Sequence, residues 1–362
     1  MDEMRMIGTL LDERPSECSV AEGRARLERE IESGRRTRRF SIPRWSITAP
    51  VLAAGSVAAV TAVAVAMSSG TTPRAPDHQA AQPVSARSVL LSAATRIEQA
   101  PATHGRYWSV VTQERMNMGV GDRAFETINE TGLWDEGPGK HAWIAERRVR
   151  SKDLGPAPKD GPKSFDRNGR PATTPPGDRG PTPWTKVKVK GGEAFRLADW
   201  EGVPAINVRE LPDTPDALRR FFDQKLRQAQ ARTGGPIDSV EWLFSNAQKL
   251  GSAPVSPKVL GALYRVLATD PKLRVAGTVT DPLGRKGTAI AHRVTAESGH
   301  VHDEQLVLDP ATGRLLAERD VLVQPGKAWL RGGKPGDVTY YTAVISRGWT
   351  DTVPRYKLGK VG

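Results

Sequence analysis

The sequence of 362 residues holds one cysteine, Cys18. An intrachain disulfide is therefore excluded, and so is a zinc site built from several thiolates. The short signatures of familiar catalytic machinery are also missing. There is no G-x-S-x-G nucleophile elbow, no H-E-x-x-H and no G-x-x-x-x-G-K-[ST] phosphate loop. Among 41 acidic residues, no spacing sets one carboxylate pair apart as acid and base. Hydrophobic residues make up only 38%, against 35 Gly and 28 Pro, a mixture that implies folded parts separated by long irregular stretches. These absences point to a non-enzymatic protein that needs no cofactor.

One apolar run stands out. Residues 47–67, ITAPVLAAGSVAAVTAVAVAM, contain no charge over 21 positions. A helix of that length covers about 30 Å, the thickness of a bilayer core. Arg35, Arg36, Arg38, Arg39 and Arg44 precede it, and the first charge after it is Arg74. Basic residues are retained on the cytoplasmic side, so the flanks predict an inside N-terminus and an extracytoplasmic C-terminal portion. A cleaved signal peptide ending near Ala64-Val65-Ala66 is the competing reading; the long N-terminal region favours an anchor that stays attached. Gly55 and Ala59 offer a weak small-xxx-small surface for helix pairing, although a monomeric anchor is the simpler expectation.

The net charge of +12 divides unevenly across this run. Residues 1–46 carry 10 basic and 9 acidic side chains, net +1, which leaves +11 for the rest. The basic excess thus falls outside the membrane, away from nucleic acid, where anionic head groups or wall polymers are the available counter-surfaces. Residues 1–46 form a small cytoplasmic segment with two short helices, the second capped by Ser19 with Glu22 three residues on. Residues 68–85 are a Pro/Ser/Thr/Ala-rich linker, and 86–362 form the external domain.

In that domain, 86–100 has helical periodicity, after which the period changes to two. GRYWSVVTQER, RAFETINE and KHAWIAERRVR read as antiparallel strands, and residues 152–183 as a mobile loop. WTKVKVKG has the alternating lysines of an edge strand. Three helices follow, opened by Thr214-Pro215, by the stretch around Val240, and by Ser256-Pro257. Five more alternating runs end the chain: LRVAGTVT, TAIAHRV, EQLVLD, GRLLAERDVLV and VTYYTAVI. Asp281-Pro282-Leu283-Gly284 and Asp309 through Gly313, with Pro310, supply tight turns between them. The fold class is α+β: a curved antiparallel sheet, like an unclosed barrel, packed against helices.

Candidate ligand contacts are few. Tyr107, Trp108, Trp143, Tyr340 and Tyr341 lie on strands, and a curved sheet lined with aromatics can hold a lipid tail or another apolar ligand; an ordinary core uses them equally well. In His300-Val301-His302-Asp303-Glu304 the two histidines share one strand face and could take a cation with a third ligand from elsewhere. The run sits at a strand entry where exposed polar residues are ordinary, so no metal is expected. His141 and His292 read as isolated. Asn129-Glu130-Thr131 matches an N-glycosylation acceptor, a tripeptide common by chance.

The arginine cluster before an Ala/Val membrane helix, SVLLSAATRIEQAP followed by GRYW, LPDTPDALRRFF, TVTDPLGRKG, LVLDPATGRLLAE and VTYYTAVI together resemble a family of actinobacterial single-pass membrane proteins of uncharacterised function. The resemblance spans nearly the whole chain. It implies a layout similar to that of membrane anti-sigma regulators, with an external domain resembling the lipoprotein-carrier and periplasmic sigma-regulator fold. The sequence departs from zinc anti-sigma proteins in lacking H-x-x-x-C-x-x-C, and its cytoplasmic part is shorter than a full sigma-binding domain. The expectation is an external domain that senses or binds a ligand and a short inside segment that contacts a sigma factor or another regulator. The alternative is a membrane-tethered lipid or lipoprotein carrier.

Overall fold

A computed structural model describes residues 84–101, 103–120, 123–156, 177–197, 206–296, 299–326 and 333–358. The expected cytoplasmic segment, the membrane helix with its five flanking arginines, and most of the linker lie outside the described residues. Among the described residues no helix is long and apolar enough to cross a membrane.

The chain enters through α1 (Ala86–Glu98), which Ser85 caps by accepting the Ser88 N–H. Four strands follow: β1 (Tyr107–Val120), β2 (Arg123–Asp135), β3 (His141–Pro156) and β4 (Thr185–Lys190). After the short β5 (Arg196–Leu197) and β6 (Ile206–Asn207) come α2 (Pro215–Thr233), α3 (Ser239–Leu250) and α4 (Pro257–Leu267). The chain ends in β7 (Arg274–Thr280), β8 (Lys286–Thr295), β9 (Val301–Leu308), β10 (Leu315–Gln324), β11 (Val338–Thr350) and β12 (Lys357–Leu358). All nine alternating runs of the sequence are strands, because a two-residue period presents one apolar face per strand.

Ten strands make one curved, unclosed sheet in the order β12-β4-β3-β2-β1-β11-β10-β9-β8-β7, with β5 and β6 paired separately. Every pairing in the large sheet is antiparallel except the two-residue contact of β12 with β4. The lysine-rich strand is thus next to last, with β12 covering only its first two residues. One expectation about the strands needs correction. The sheet does not stop at Lys152: β3 runs on to Pro156, and Arg179 bridges back to Ser151, so both ends of the expected loop are tied to the sheet. Asn129 is buried at the sheet centre, 2% exposed, and cannot accept a glycan.

The helices cover one face. Phe244 of α3 lies 6.1 Å from the His292 ring on β8, and the Trp108 indole N–H of β1 donates to the Ser252 carbonyl just beyond α3. Asp238 caps α3 by accepting the Val240 and Glu241 N–H groups, and α1 packs along α4. There Gly261 leaves room for Glu98, which pairs with Arg265 at 2.6 Å. Leu90, Ile97, Leu218, Phe222, Phe244, Leu263 and Tyr264 are all buried in this layer, each large side chain contributing roughly 1.5–3 kcal/mol.

The opposite face carries Ala289, Val307, Ala317 and Ala343 in one register row across β8 to β11, packed with Ile128 and Tyr341. Farther along it, Glu126 pairs with Arg115 and Arg150, and Glu130 with Arg147. The Asp281 turn is fixed from the same side. Asp281 accepts the Leu283 and Arg285 N–H groups, while the Arg285 guanidinium bonds Asp281 at 2.7 Å, the Val344 carbonyl at 2.8 Å and the Leu316 carbonyl at 2.9 Å. Leu316 is the bulged residue of β10, so its carbonyl stands outside the β9 ladder and needs another donor.

Candidate functional site

The antiparallel registers bring polar residues into rows on the helix-covered face. His292 on β8 lies opposite Glu304 on β9, Glu304 opposite Asp320 on β10, and Asp320 opposite Tyr340 on β11. His302 sits one step along β9 on the same face. His292, Glu304 and Asp320 are 5–6% exposed and His302 is 9% exposed. Buried ionisable groups are rare because burial disfavours charge, so a row of them needs an explanation beyond packing.

The geometry is close. The donor atoms of His302, Glu304 and Asp320 all lie within 4.8 Å of one another, with His302 Nε2 3.8 Å from Glu304 Oε1. The His300 ring stacks on that of His302 at 5.2 Å. Burial pushes the His292 imidazole below its ordinary range, opposed by the charge of Glu304. Burial, aided by neighbouring His302 and opposed by Asp320, does the same to His300. Both rings therefore favour the neutral form that can donate a lone pair.

The row beside it carries Glu318 of β10 and Thr342 of β11. The Tyr340 hydroxyl shares a 2.7 Å hydrogen bond with the Thr342 hydroxyl and donates to Glu318 Oε1 at 3.3 Å. Lys249, near the end of α3, is pushed down to about 8 by burial, with Glu318 acting in the opposite direction. Imidazole, carboxylate, phenol and amine thus meet on one covered surface. Such a set can ligate a cation or hold a polar ligand.

Sequence reasoning found part of this. His300, His302 and Glu304 fall within one quoted run, but His302 is buried where exposure was expected. His292 is not isolated, since it faces Glu304. Asp320 and Lys249 gave no signal. Counting back from the Asp309 turn pairs Leu308 with Leu315, and an unbroken ladder would then set Glu304 against Arg319. The bulge at Leu316 shifts the register by one and sets Glu304 against Asp320 instead.

The five aromatics do not line one cavity. Tyr107 and Trp143 join Trp134, Trp184 and Tyr356 on the face opposite the helices, with Trp184 stacked on Tyr356 at 5.1 Å. Tyr341 lies farther along that face, donating to Gln113 at 2.9 Å, and burial raises its phenol to about 12. Trp108 and Tyr340 are on the helix-covered side, where Trp108 meets Trp349 edge-on at 5.6 Å. Adjacent residues on a strand point to opposite faces, so Tyr107-Trp108 and Tyr340-Tyr341 must separate.

The turn residues are structural. In the second turn Asp309 accepts the Ala311 N–H and the Thr312 hydroxyl, and the Gly313 N–H bonds the Asp309 carbonyl at 2.8 Å. Pro310 accepts a hydrogen bond from Arg96 of α1 through its carbonyl, which ties the turn to the first helix. Pro282 occupies the corresponding place in the Asp281 turn. No family model matches this chain, and neither a curated protein nor a solved structure does.

Proposed function

We propose that this chain is a non-enzymatic, single-pass membrane protein of the cell envelope whose extracytoplasmic unit binds a ligand on the helix-covered sheet face. The short N-terminal segment relays occupancy to a cytoplasmic regulator in the manner of an anti-sigma protein. The observation that carries the binding half is the buried polar row His292–Glu304–Asp320–Tyr340. A sheet face serving only as a core would place apolar side chains there. The anchor half rests on the apolar run at 47–67 and its arginine flank. The alternative, a tethered lipid or lipoprotein carrier, draws less support, because its aromatics divide between two faces.

Cysteine labelling tests the topology. Cys18 is the one thiol of the chain, and Gln224→Cys places a second on the exposed side of α2. In intact cells a membrane-impermeant maleimide is expected to label the Gln224→Cys protein and spare Cys18. Equal labelling of both thiols sinks the topology. A pull-down with residues 1–46 that recovers no cytoplasmic protein removes the relay, and co-purifying lipid identified by mass spectrometry favours the carrier.

A further inference from the structure

We propose that His302, Glu304 and Asp320 bind a divalent transition-metal ion of the zinc class, with His300 as a fourth ligand. The inference rests on reading the helix-covered face as a binding face, and it names the ligand. One nitrogen and two carboxylate groups converge from two neighbouring strands, with all three donor atoms within 4.8 Å. Bonds of about 2.0–2.2 Å to zinc place tetrahedral ligand atoms roughly 3.3–3.5 Å apart, so side-chain rotations that close the present gaps by about 1.5 Å complete the set. His300 immediately precedes β9, and its ring already stacks on that of His302.

A second, independent observation concerns unpaired nitrogens. Among the described residues, the Nδ1 atoms of His302 and His292 are both buried and have no hydrogen-bond partner. His302 Nε2 stands 3.8 Å from Glu304 Oε1. A buried imidazole nitrogen without a partner is costly unless a ligand takes it. Glu304 and Asp320 stand directly opposite each other across the β9–β10 ladder. A cation between them would be held by both carboxylates. His292, on the far side of Glu304, is placed to hold that carboxylate in position.

The donor set selects the metal. Calcium and magnesium favour all-oxygen shells, whereas a mixed imidazole and carboxylate set suits zinc and its neighbours. With no cysteine in the folded unit, thiolate chemistry does not compete.

The test uses the full chain purified in detergent without a polyhistidine tag, stripped with chelator and titrated with zinc. Metal content is measured by mass spectrometry and affinity by competition with a fluorescent chelator. One zinc per chain is expected. His302→Ala and the near-isosteric Glu304→Gln should each weaken binding by about tenfold or more, while His141→Ala, at an exposed position on β3, should leave it unchanged. Circular dichroism verifies that each variant is folded, and the stoichiometry of the unaltered chain is decisive if one is not. Substoichiometric zinc in the unaltered chain, wild-type affinity in both folded site variants, or an equal loss in His141→Ala would overturn the site. No zinc together with the expected cysteine-labelling pattern removes the metal and leaves the envelope topology standing. One zinc per chain with both thiols labelled equally does the reverse.

Discussion

Gly284 and Gly313 close the two Asp-Pro turns at φ +81° and +71°, so both occupy left-handed backbone that favours glycine. Alanine at either position takes on the same local strain, about 1–2 kcal/mol. Their surroundings differ. A Cβ at Gly284 would meet nothing within 4 Å. At Gly313 it would stand 2.9 Å from both the Cα and the carbonyl carbon of Ala93, and closer still to the Ala93 carbonyl oxygen. Those atoms are helix backbone and cannot swing aside, so α1 must move and disturb the burial of Leu90, Ala94 and Ile97. An overpacking cost of about 1–3 kcal/mol then adds to the strain. The expected losses are about 1–2 kcal/mol for Gly284→Ala and about 2–5 kcal/mol for Gly313→Ala. Urea unfolding followed by tryptophan fluorescence reads the midpoint of each variant. Equal midpoints with equal slopes would refute the reasoning, because they would mean that the turn does not bear on α1.

Asp135, fully buried, accepts the N–H groups of Gly137, Gly192 and Ala194 at 2.8–2.9 Å and joins the β2–β3 turn to the segment after β4. Asp135→Ala strands these donors and should cost about 3–5 kcal/mol in the same assay. Arg285→Lys retains the charge beside Asp281 but cannot reach both the Leu316 and Val344 carbonyls, so a loss of about 1–3 kcal/mol is expected. Lys249, lowered from 10.5 to about 8, binds its proton less tightly when folded than when unfolded. Stability should therefore rise as pH increases from about 8, an effect abolished by Lys249→Met, until Tyr264 and Tyr341, raised to about 12, reverse the trend above pH 10. His292 is lowered by burial, so the unfolded chain takes up the proton first and stability should fall as pH drops through about 6.5; His292→Gln should flatten that slope in urea titrations.

Local pattern was a good guide to elements and a poor one to partnerships. The Asp-Pro turns, the Ser256-Pro257 helix start and the alternating runs were legible because each depends on residues within a few positions of one another. The extension of β3 to Pro156 was not, since Lys152-Asp153-Leu154-Gly155-Pro156 lacks alternation. Arg123, pairing with Asp153 from β2, and Arg179, bridging to Ser151, hold it in the sheet. Edge character at β4 was legible, but the contribution of β12 was not, because a parallel partner arrives from more than 160 residues away.

His302 and Glu304 share one face of β9 by the geometry of any strand, and the letters alone were enough to say so. Their burial, and the arrival of Asp320 rather than Arg319 opposite Glu304, were decided by tertiary structure. One extra residue at the Leu316 bulge shifts the β9–β10 register, and a shift of one residue exchanges the faces of a strand. The cover supplied by α3 and its neighbours then takes those groups out of water, giving a pattern of exposed-looking letters the chemistry of an enclosed site.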